Sequence, residues 1–399
     1  MSDVPSQAKT IPGLMTDGEL SLLCRMARSA QSIAELGTFK GRSLAAMMLT
    51  NPKARAWGVD WFGDMSHRGY KGSTEAETRT NLAALGLNPT LIVGTTTEAA
   101  ADFAETVDLL HIDAGHSYEE CSADLANWGP KVKPGGAICV HDYGHARSSV
   151  LDRPEVKQAV DDWRSPGWAE VERAGVMIAF RHIIADEGAL YVAYGEKARA
   201  LARESIRSLK SFAPRLPVAV VSDSPLDMAD HNIIHVEVDK GARAQKTRMY
   251  SLSPFRKTLY LDADTKVLDN PTAGFGLLAY VDAVFAQDAK RSFALVNWPA
   301  HDPAEVAATK AELPTEALCY YNSGVIFFRR NERTQALFQG WHREWKRWQK
   351  HDQMAMLRAM MKHPVRIAAM RPPWNTHHRT IAKFVFHNHR QASRAGAPG

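Results

Sequence analysis

Ser32-Ile33-Ala34-Glu35-Leu36-Gly37-Thr38-Phe39-Lys40-Gly41-Arg42-Ser43 carries an apolar, strand-like run through two glycines into the start of a helix. Glycine lets a backbone approach a ligand closely, and a helix N-terminus offers N–H groups that no carbonyl of the helix has taken. About twenty residues on, Trp57-Gly58-Val59-Asp60 ends a second strand in an acid, placed to accept hydrogen bonds from a ribose diol. Taken together the two stretches predict a site for a nucleoside-bearing cofactor. Taken singly, the glycines also read as a tight turn and Asp60 as a strand-end cap.

Outward from this stretch, short apolar runs alternate with longer amphipathic ones, the pattern of a parallel sheet covered by helices. Strands are expected near Ser32 to Leu36, Ala56 to Asp60, Thr90 to Val93, Val107 to Asp113, Gly136 to His141 and Val176 to Arg181. Lys133-Pro134-Gly135-Gly136 reads as a turn before the fifth strand, and a helix from Tyr118 to Trp128 precedes it. The rhythm restarts at Ala189 with Leu190-Tyr191-Val192-Ala193-Tyr194-Gly195, a basic amphipathic helix from Lys197 to Phe212 and the strand Val218-Ala219-Val220-Val221-Ser222-Asp223. At roughly 100 to 200 residues per domain, the 399 residues divide into two α/β domains, 1–185 and 189–399, with Asp186-Glu187-Gly188 between them.

Composition bounds the function. With 45% hydrophobic and 23% charged residues the chain is neither disordered, fibrous nor disulfide-stapled. Cys24, Cys121, Cys139 and Cys319 are too irregularly spaced for a metal-binding pair and read as buried thiols of a reducing compartment. The apolar runs fall short of the roughly 18 to 20 residues of a membrane span, and the first residues show no basic region followed by an apolar stretch. A cytoplasmic location is therefore expected. Residues 341–399 carry 12 Lys/Arg against 2 Asp/Glu, which suits an anionic ligand such as a diphosphate or an acidic surface.

The fourth expected strand ends in Leu110-His111-Ile112-Asp113-Ala114-Gly115-His116-Ser117-Tyr118-Glu119, and the first turn has the spacing Glu-x-Gly-x-x-x-Gly-x-Ser in place of GxGxxG. With these residues, positions 15–183 resemble the class I S-adenosylmethionine-dependent methyltransferases, in particular the small-molecule and sugar O-methyltransferase branch that includes the cephalosporin-hydroxylase-like group. The resemblance implies a Rossmann-like fold in which Glu35, Gly37, Thr38, Gly41 and Ser43 cradle the methionine part of S-adenosylmethionine. Asp60 would take the ribose, and Asp113 would lie where cofactor and substrate meet. Metal-using relatives hold a divalent ion on carboxylates ending strands four and five. Those positions here are Asp113 and Asp142, with His141 where relatives often have a carboxylate. His116 is placed to act as general base toward an acceptor hydroxyl, because imidazole titrates near neutral pH; a hydrogen-bonded structural histidine is the plainer alternative.

In the second half, Thr258-Leu259-Tyr260-Leu261-Asp262-Ala263-Asp264 delivers two carboxylates to the end of an apolar strand, where they can share a hard cation that binds a diphosphate. Tyr321-Asn322-Ser323-Gly324, His351-Asp352-Gln353 and Phe384-Val385-Phe386-His387-Asn388-His389 follow. With these, residues 189–390 resemble GT-A fold glycosyltransferases of the family 8, glycogenin-like kind. The resemblance implies Mn²⁺ or Mg²⁺ on Asp262, Asp264 and His387, with His389 in reserve. Asn322 and Ser323 would bond the donor sugar, Asp352 and Gln353 would flank the reacting carbon, and Lys246 would neutralise the diphosphate. Tyr194 and Asp223 would contact the base, uridine by likeness. Asp352 also reads as a helix N-cap. The family's His-x-x-Gly-x-x-Lys ending is replaced by HNHRQASR, so Arg390 competes with Lys246 for the diphosphate. Trp341, Trp345 and Trp348 share one helical face, which is either packed or turned to a membrane surface or acceptor.

The expected function is a bifunctional transferase: methyl transfer from S-adenosylmethionine, and metal-dependent glycosyl transfer from a nucleotide sugar to a hydroxyl-bearing acceptor such as a glycan. The rivals are a glycosyltransferase whose methyltransferase-like half only docks the acceptor, and a basic module that binds nucleic acid or membrane. Nucleic acid is not the expected partner.

Overall fold

The structure, a computed structural model, describes residues 4–63, 74–144, 154–164, 167–226, 228, 233–237, 242–295, 302–371, 374–375, 382 and 384–387. Two compact units divide the chain, Met1–Ile184 and Ala185–Gly399.

In the first unit the strands are β1 (Ser32–Leu36), β2 (Arg55–Asp60), β3 (Thr90–Val93), β4 (Val107–Ile112), β5 (Val132–Val140), β6 (Trp168–Ala174) and β7 (Met177–His182). Between and before them lie α1 (Asp17–Ala27), α2 (Arg42–Thr50), α3 (Glu75–Ala84), α4 (Thr96–Asp102), α5 (Tyr118–Trp128) and α6 (Pro154–Trp163). The sheet order is β3-β2-β1-β4-β5-β7-β6, with β1 to β5 parallel and β6 and β7 antiparallel additions. β6 has no counterpart in the sequence reading; the rest agree to within a few residues. The central strands are buried on both faces: Ile33, Leu109 and Cys139 pack on one side, Ala34, Leu110 and Val140 on the other. This is why they read as apolar runs rather than alternating ones.

The order reverses between β1 and β4, the point where an open α/β sheet leaves a crevice at its strand ends. Backbone bonds extend the sheet one residue past the strands there. Gly37 N donates to Val59 O, Asp113 N to Leu36 O, His141 N to Ile112 O and Gly94 N to Asp60 O. Asp60, Gly37, Asp113 and His141 therefore stand in one row across the C-terminal edge. Gly37 has φ of +84°, and a Cβ there would lie 2.0 Å from Asp113 O, so both conformation and space demand glycine. Capping boxes start α1 (Thr16 with Glu19), α4 (Thr95 with Glu98) and α5 (Ser117 with Glu120), and the last fixes the loop from Asp113 to Ser117.

The second unit contains β8 (Ala185–Ala193), β9 (Val218–Ser222), β10 (Ile233–Glu237), β11 (Phe255–Asp262), β12 (Thr265–Val267), β13 (Ala283–Ser292), β14 (Cys319–Arg329), β15 (Ile367–Met370) and β16 (Val385–His387). Its helices are α7 (Gly195–Phe212), α8 (Ala242–Lys246), α9 (Met249–Leu252), α10 (Ala273–Leu277), α11 (Pro303–Glu312), α12 (Glu332–Trp348) and α13 (Asp352–Lys362). The main sheet runs β10-β9-β8-β11-β14-β13-β15, and β12 pairs with β16. Because β14 is antiparallel to β11, with Val325 opposite Leu261, the first half of β14 comes to the edge where β11 ends.

Two expectations are corrected. Asp186-Glu187-Gly188 lies inside β8, with Glu187 and Gly188 in register with Lys257 and Thr258 of β11. Its charges, which mimic a linker, are paired with Lys257 at 3.0 and 3.1 Å. Cys319 is exposed at the first position of β14, whereas Cys24, Cys121 and Cys139 are buried as expected. No helix among the described residues is long and apolar enough to cross a membrane. Trp341 is buried, and its indole N–H donates to Asp352 O at 2.7 Å, so that face of α12 is packed at Trp341.

Gly37→Ala is expected to cost the first unit more than about 2 kcal/mol, combining backbone strain with a clash. Gly86→Ala, at φ of +70° with nothing within 4 Å, should cost only about 1 kcal/mol by the same denaturant titration.

Candidate functional site

At the first unit's crevice, Asp60 is held by two backbone N–H groups: Phe39 N donates to Oδ2 and Phe62 N to Oδ1, both at 2.7 Å. Phe39 and Phe62 have φ of 48° and 49°, conformations that most side chains avoid and that the carboxylate holds in place. Burial raises the Asp60 carboxyl above the ordinary range, and the two N–H groups only partly offset it. Trp61, between these contacts, is 57% exposed beside the crevice. The sequence reading did not single it out.

Glu35 and Ser43 are buried, and Thr38 lies in the turn. Glu35 and His111, in register on β1 and β4, pair at 2.9 Å between Oε1 and Nδ1 with neither side chain exposed. Burial raises the Glu35 carboxyl. Gly41, at φ of +87°, caps the N-terminus of α2. The expected cradle thus exists as a left-handed turn over a helix start, with Glu35 beneath it in the sheet.

Asp113, His116, His141 and Asp142 line a cleft at the ends of β4 and β5. Asp142, at φ of 58°, receives His116 Nε2 on Oδ2 at 2.7 Å. His141 Nδ1 stands 3.4 Å from an oxygen of Asp113 and 3.4 Å from one of Asp142, and its Nε2 stands 3.6 Å from Glu19 Oε2. Burial alone would lower the His141 pKa, but the Asp113 charge and the contacts with Asp142 and Glu19 raise it to about 12. Burial would likewise raise Asp142, but His116 and His141 hold it below the usual range. One donor atom each from Asp113, His141 and Asp142 lies within 4.8 Å of the others, a set compatible with a metal ion. The family resemblance had already grouped these three residues at the ends of strands four and five, but sequence reasoning missed Glu19. Its only local signal, the capping box with Thr16, points to a helix start.

In the second unit, Lys246 at the end of α8 is the hub. Its ammonium lies 2.9 Å from Asp262 Oδ1 and 3.0 Å from Asp352 Oδ2. Tyr260 Oη donates to Asp262 at 2.8 Å and Ser323 Oγ to Asp352 at 2.7 Å. Asp352 is the first residue of α13, whose preceding N-cap is His351. Burial would raise its carboxyl, but Lys246 and Ser323 bring it down to about 2. α13 is anchored by buried Arg358, which pairs with Glu305 and Glu344 at 3.1 Å each. Gln353 Nε2 donates to Tyr321 O at 2.8 Å and to Asp288 Oδ2 at 3.3 Å. Asn322 Oδ1 accepts from Gly324 N and from Asn375 Nδ2, at 2.7 and 2.8 Å. Asp288 and Asn375 were not visible in the sequence as site residues, because a β-bulge in β13 and a turn far along the chain bring them in.

Asp264 lies in the turn between β11 and β12, and the backbone of His387 is in register with Thr265, one residue further on. His389 and Arg390 lie outside the described residues. Asp223 accepts from Gly195 N at 3.1 Å and is paired with Arg199; Tyr194 immediately precedes α7.

Residues 34–143 match the family model of a methyltransferase domain, and residues 257–392 that of a nucleotide-diphospho-sugar transferase. The fold is mixed α/β, with a Rossmann-like methyltransferase domain followed by a nucleotide-sugar transferase domain. An uncharacterized protein of Sinorhizobium fredii, y4gI, is 43% identical over 53 residues, which are 13% of this chain and 6% of that protein. Among solved structures, the O-methyltransferase NovP is 17% identical, covering 42% of this chain and 81% of its own, with a TM-score of 0.37. TomG, an O-methyltransferase from Streptomyces achromogenes solved with SAM, is 17% identical over 42% of this chain and 81% of its own, with a TM-score of 0.34.

Lys246→Met removes the ammonium that Asp262 and Asp352 share, and should cost about 3 kcal/mol at pH 7. A carboxylate whose pKa is depressed in the folded state stabilises it above the unfolded value near 3.9, and that contribution is lost as pH falls through the folded value. The deficit of the variant should therefore shrink between about pH 5 and pH 2, as read from urea melts across that range.

Proposed function

We propose that the chain is a bifunctional transferase: its first unit moves a methyl group from S-adenosylmethionine to a hydroxyl, and its second moves a sugar from a nucleotide donor to a hydroxyl. The observation that supports this best is that each unit gathers acidic residues from separate segments at the edge where its parallel strands end: Asp60, Asp113 and Asp142 in one, Asp262 and Asp352 in the other.

In the first unit the left-handed turn at Gly37, the start of α2 and Asp60 suit a nucleoside joined to an amino acid. S-adenosylmethionine supplies an electrophilic methyl on a sulfonium. His116 takes the acceptor's hydroxyl proton, while its Nε2 bond to Asp142 orients the ring and balances the positive charge it gains. Asp113 and its neighbours align the hydroxyl, which is the larger part of catalysis in such a displacement.

In the second unit the family likeness makes Asp262, Asp264 and His387 the carboxylate and imidazole donors that would hold Mn²⁺ or Mg²⁺, and such an ion would neutralise a diphosphate. Lys246 supplies positive charge beside it and keeps Asp352 ionised. Ser323 and Asn322 meet the donor sugar, with Asn322 held by Asn375. Asp352 and Gln353 flank the carbon at which the acceptor oxygen replaces the phosphate oxygen. Uridine diphosphate is the leaving group by family likeness, as is retention at that carbon. A glycan or glycosylated metabolite made in the cytoplasm would use both reactions.

Melting of the full chain with S-adenosylhomocysteine, UDP and GDP, each with and without Mn²⁺, tests this. S-adenosylhomocysteine should raise the melting temperature in the wild type but not in Asp60→Ala. UDP should do so only with Mn²⁺, and not in Asp262→Asn. Silence from both ligands would sink the proposal.

A further inference from the structure

The side chains around His141 carry the reading of the first unit a step further. Glu19, on α1, is 4% exposed and lies outside the segment that matches the methyltransferase family model. Its carboxylate is fixed on every side. Oε2 accepts from Thr16 N at 2.7 Å and Thr16 Oγ1 at 2.9 Å, and Oε1 accepts from Val176 N at 3.0 Å. Gly175, at φ of +56°, makes the room: a Cβ there would lie 2.2 Å from Glu19 Oε1. The fixed negative charge of Glu19, 3.6 Å from His141 Nε2, favours a proton on that nitrogen, and Nδ1 is turned toward Asp113 and Asp142.

Both nitrogens of His141 are buried and neither makes a hydrogen bond to a protein atom. The separations of 3.4 Å from Nδ1 to the two aspartates are long for hydrogen bonds. They approach the separation of about 3.0 Å expected between neighbouring donors of a six-coordinate ion with bonds near 2.1 Å. Asp142 is braced in turn, with its second oxygen on His116. Each of two donors thus has an outer partner that aims it.

We propose that Glu19 and His141 make the Asp113–His141–Asp142 cluster a site for a first-row transition dication rather than for magnesium. Glu19 is the positioning residue that keeps Nδ1 facing the two carboxylates. Magnesium prefers an all-oxygen shell, whereas imidazole favours manganese's later neighbours and tolerates manganese itself. The inference deepens the reading of the first unit as an O-methyltransferase and rests on it.

The test uses the full chain carrying Asp262→Asn and Asp264→Asn, which removes the second unit's acidic pair, after treatment with EDTA. Mn²⁺ and Mg²⁺ are titrated separately by calorimetry, and the Mn²⁺ form is examined by pulsed electron paramagnetic resonance. One Mn²⁺ should bind per chain, about tenfold or more tightly than Mg²⁺, with the nitrogen coupling of a bound imidazole. His141→Asp should abolish that coupling and bring the two affinities together. Glu19→Gln keeps the side chain's size and one acceptor oxygen, enough for Thr16 or Val176 but not both, and should weaken Mn²⁺ about tenfold or more with the fold intact by circular dichroism. Manganese bound without nitrogen coupling, or an Mn²⁺ to Mg²⁺ ratio unchanged by His141→Asp, would overturn the proposal. So would a chain that binds neither ion although S-adenosylhomocysteine still raises its melting temperature. If Glu19→Gln does not fold, the His141→Asp comparison decides alone. Loss of the S-adenosylhomocysteine response would instead overturn the methyltransferase reading.

Discussion

A carboxylate drawn out of water at the end of an apolar strand must be met by a cation or by N–H groups, because leaving it bare costs on the order of several kcal/mol. Much of both sites follows from that constraint. Asp60 is met by the N–H groups of Phe39 and Phe62, which bends both residues into left-handed conformations. Asp113, Asp142 and Glu19 are gathered around one imidazole, and Asp262 and Asp352 around one ammonium. The groups that answer the charges are an imidazole at His116, an ammonium at Lys246, and hydroxyls at Tyr260 and Ser323.

The strand and helix rhythm was legible because strands buried on both faces are short apolar runs, and because capping boxes such as Ser117 with Glu120 mark helix starts locally. The restart of the pattern revealed two units. Its exact place was less visible, since Asp186 and Glu187 resemble a linker until Lys257, seventy residues away, is seen to pair with them. β6 escaped notice because Trp168–Ala174 is only half-buried and carries three charges that make salt bridges across the strand's faces.

Candidate residues that end a strand, such as Asp60 and Asp262, announced themselves through their position in the pattern, whereas Asp113 and Asp352 came through the family resemblance. Those that act from elsewhere did not. Glu19 looks like a helix cap and also serves as one; its second contact, with His141, exists only because α1 packs against the edge of the sheet. Asp288 reaches Gln353 through a bulge, and Asn375 reaches Asn322 across more than fifty residues of chain. Short-range sequence pattern holds no trace of such contacts. Lys246 was named through the family resemblance, but its pairing with Asp352 as well as Asp262 was not foreseen.

Each unit holds its own core, its own reversal of strand order and its own site, so the account requires that the two sites fill independently. Native mass spectrometry of the full chain with S-adenosylhomocysteine, UDP and Mn²⁺ measures this directly. The account predicts one S-adenosylhomocysteine and one UDP on the same chain, with Asp60→Ala removing only the first and Asp262→Asn only the second. A chain that takes one ligand and never the other, or that loses both to either substitution, would contradict it.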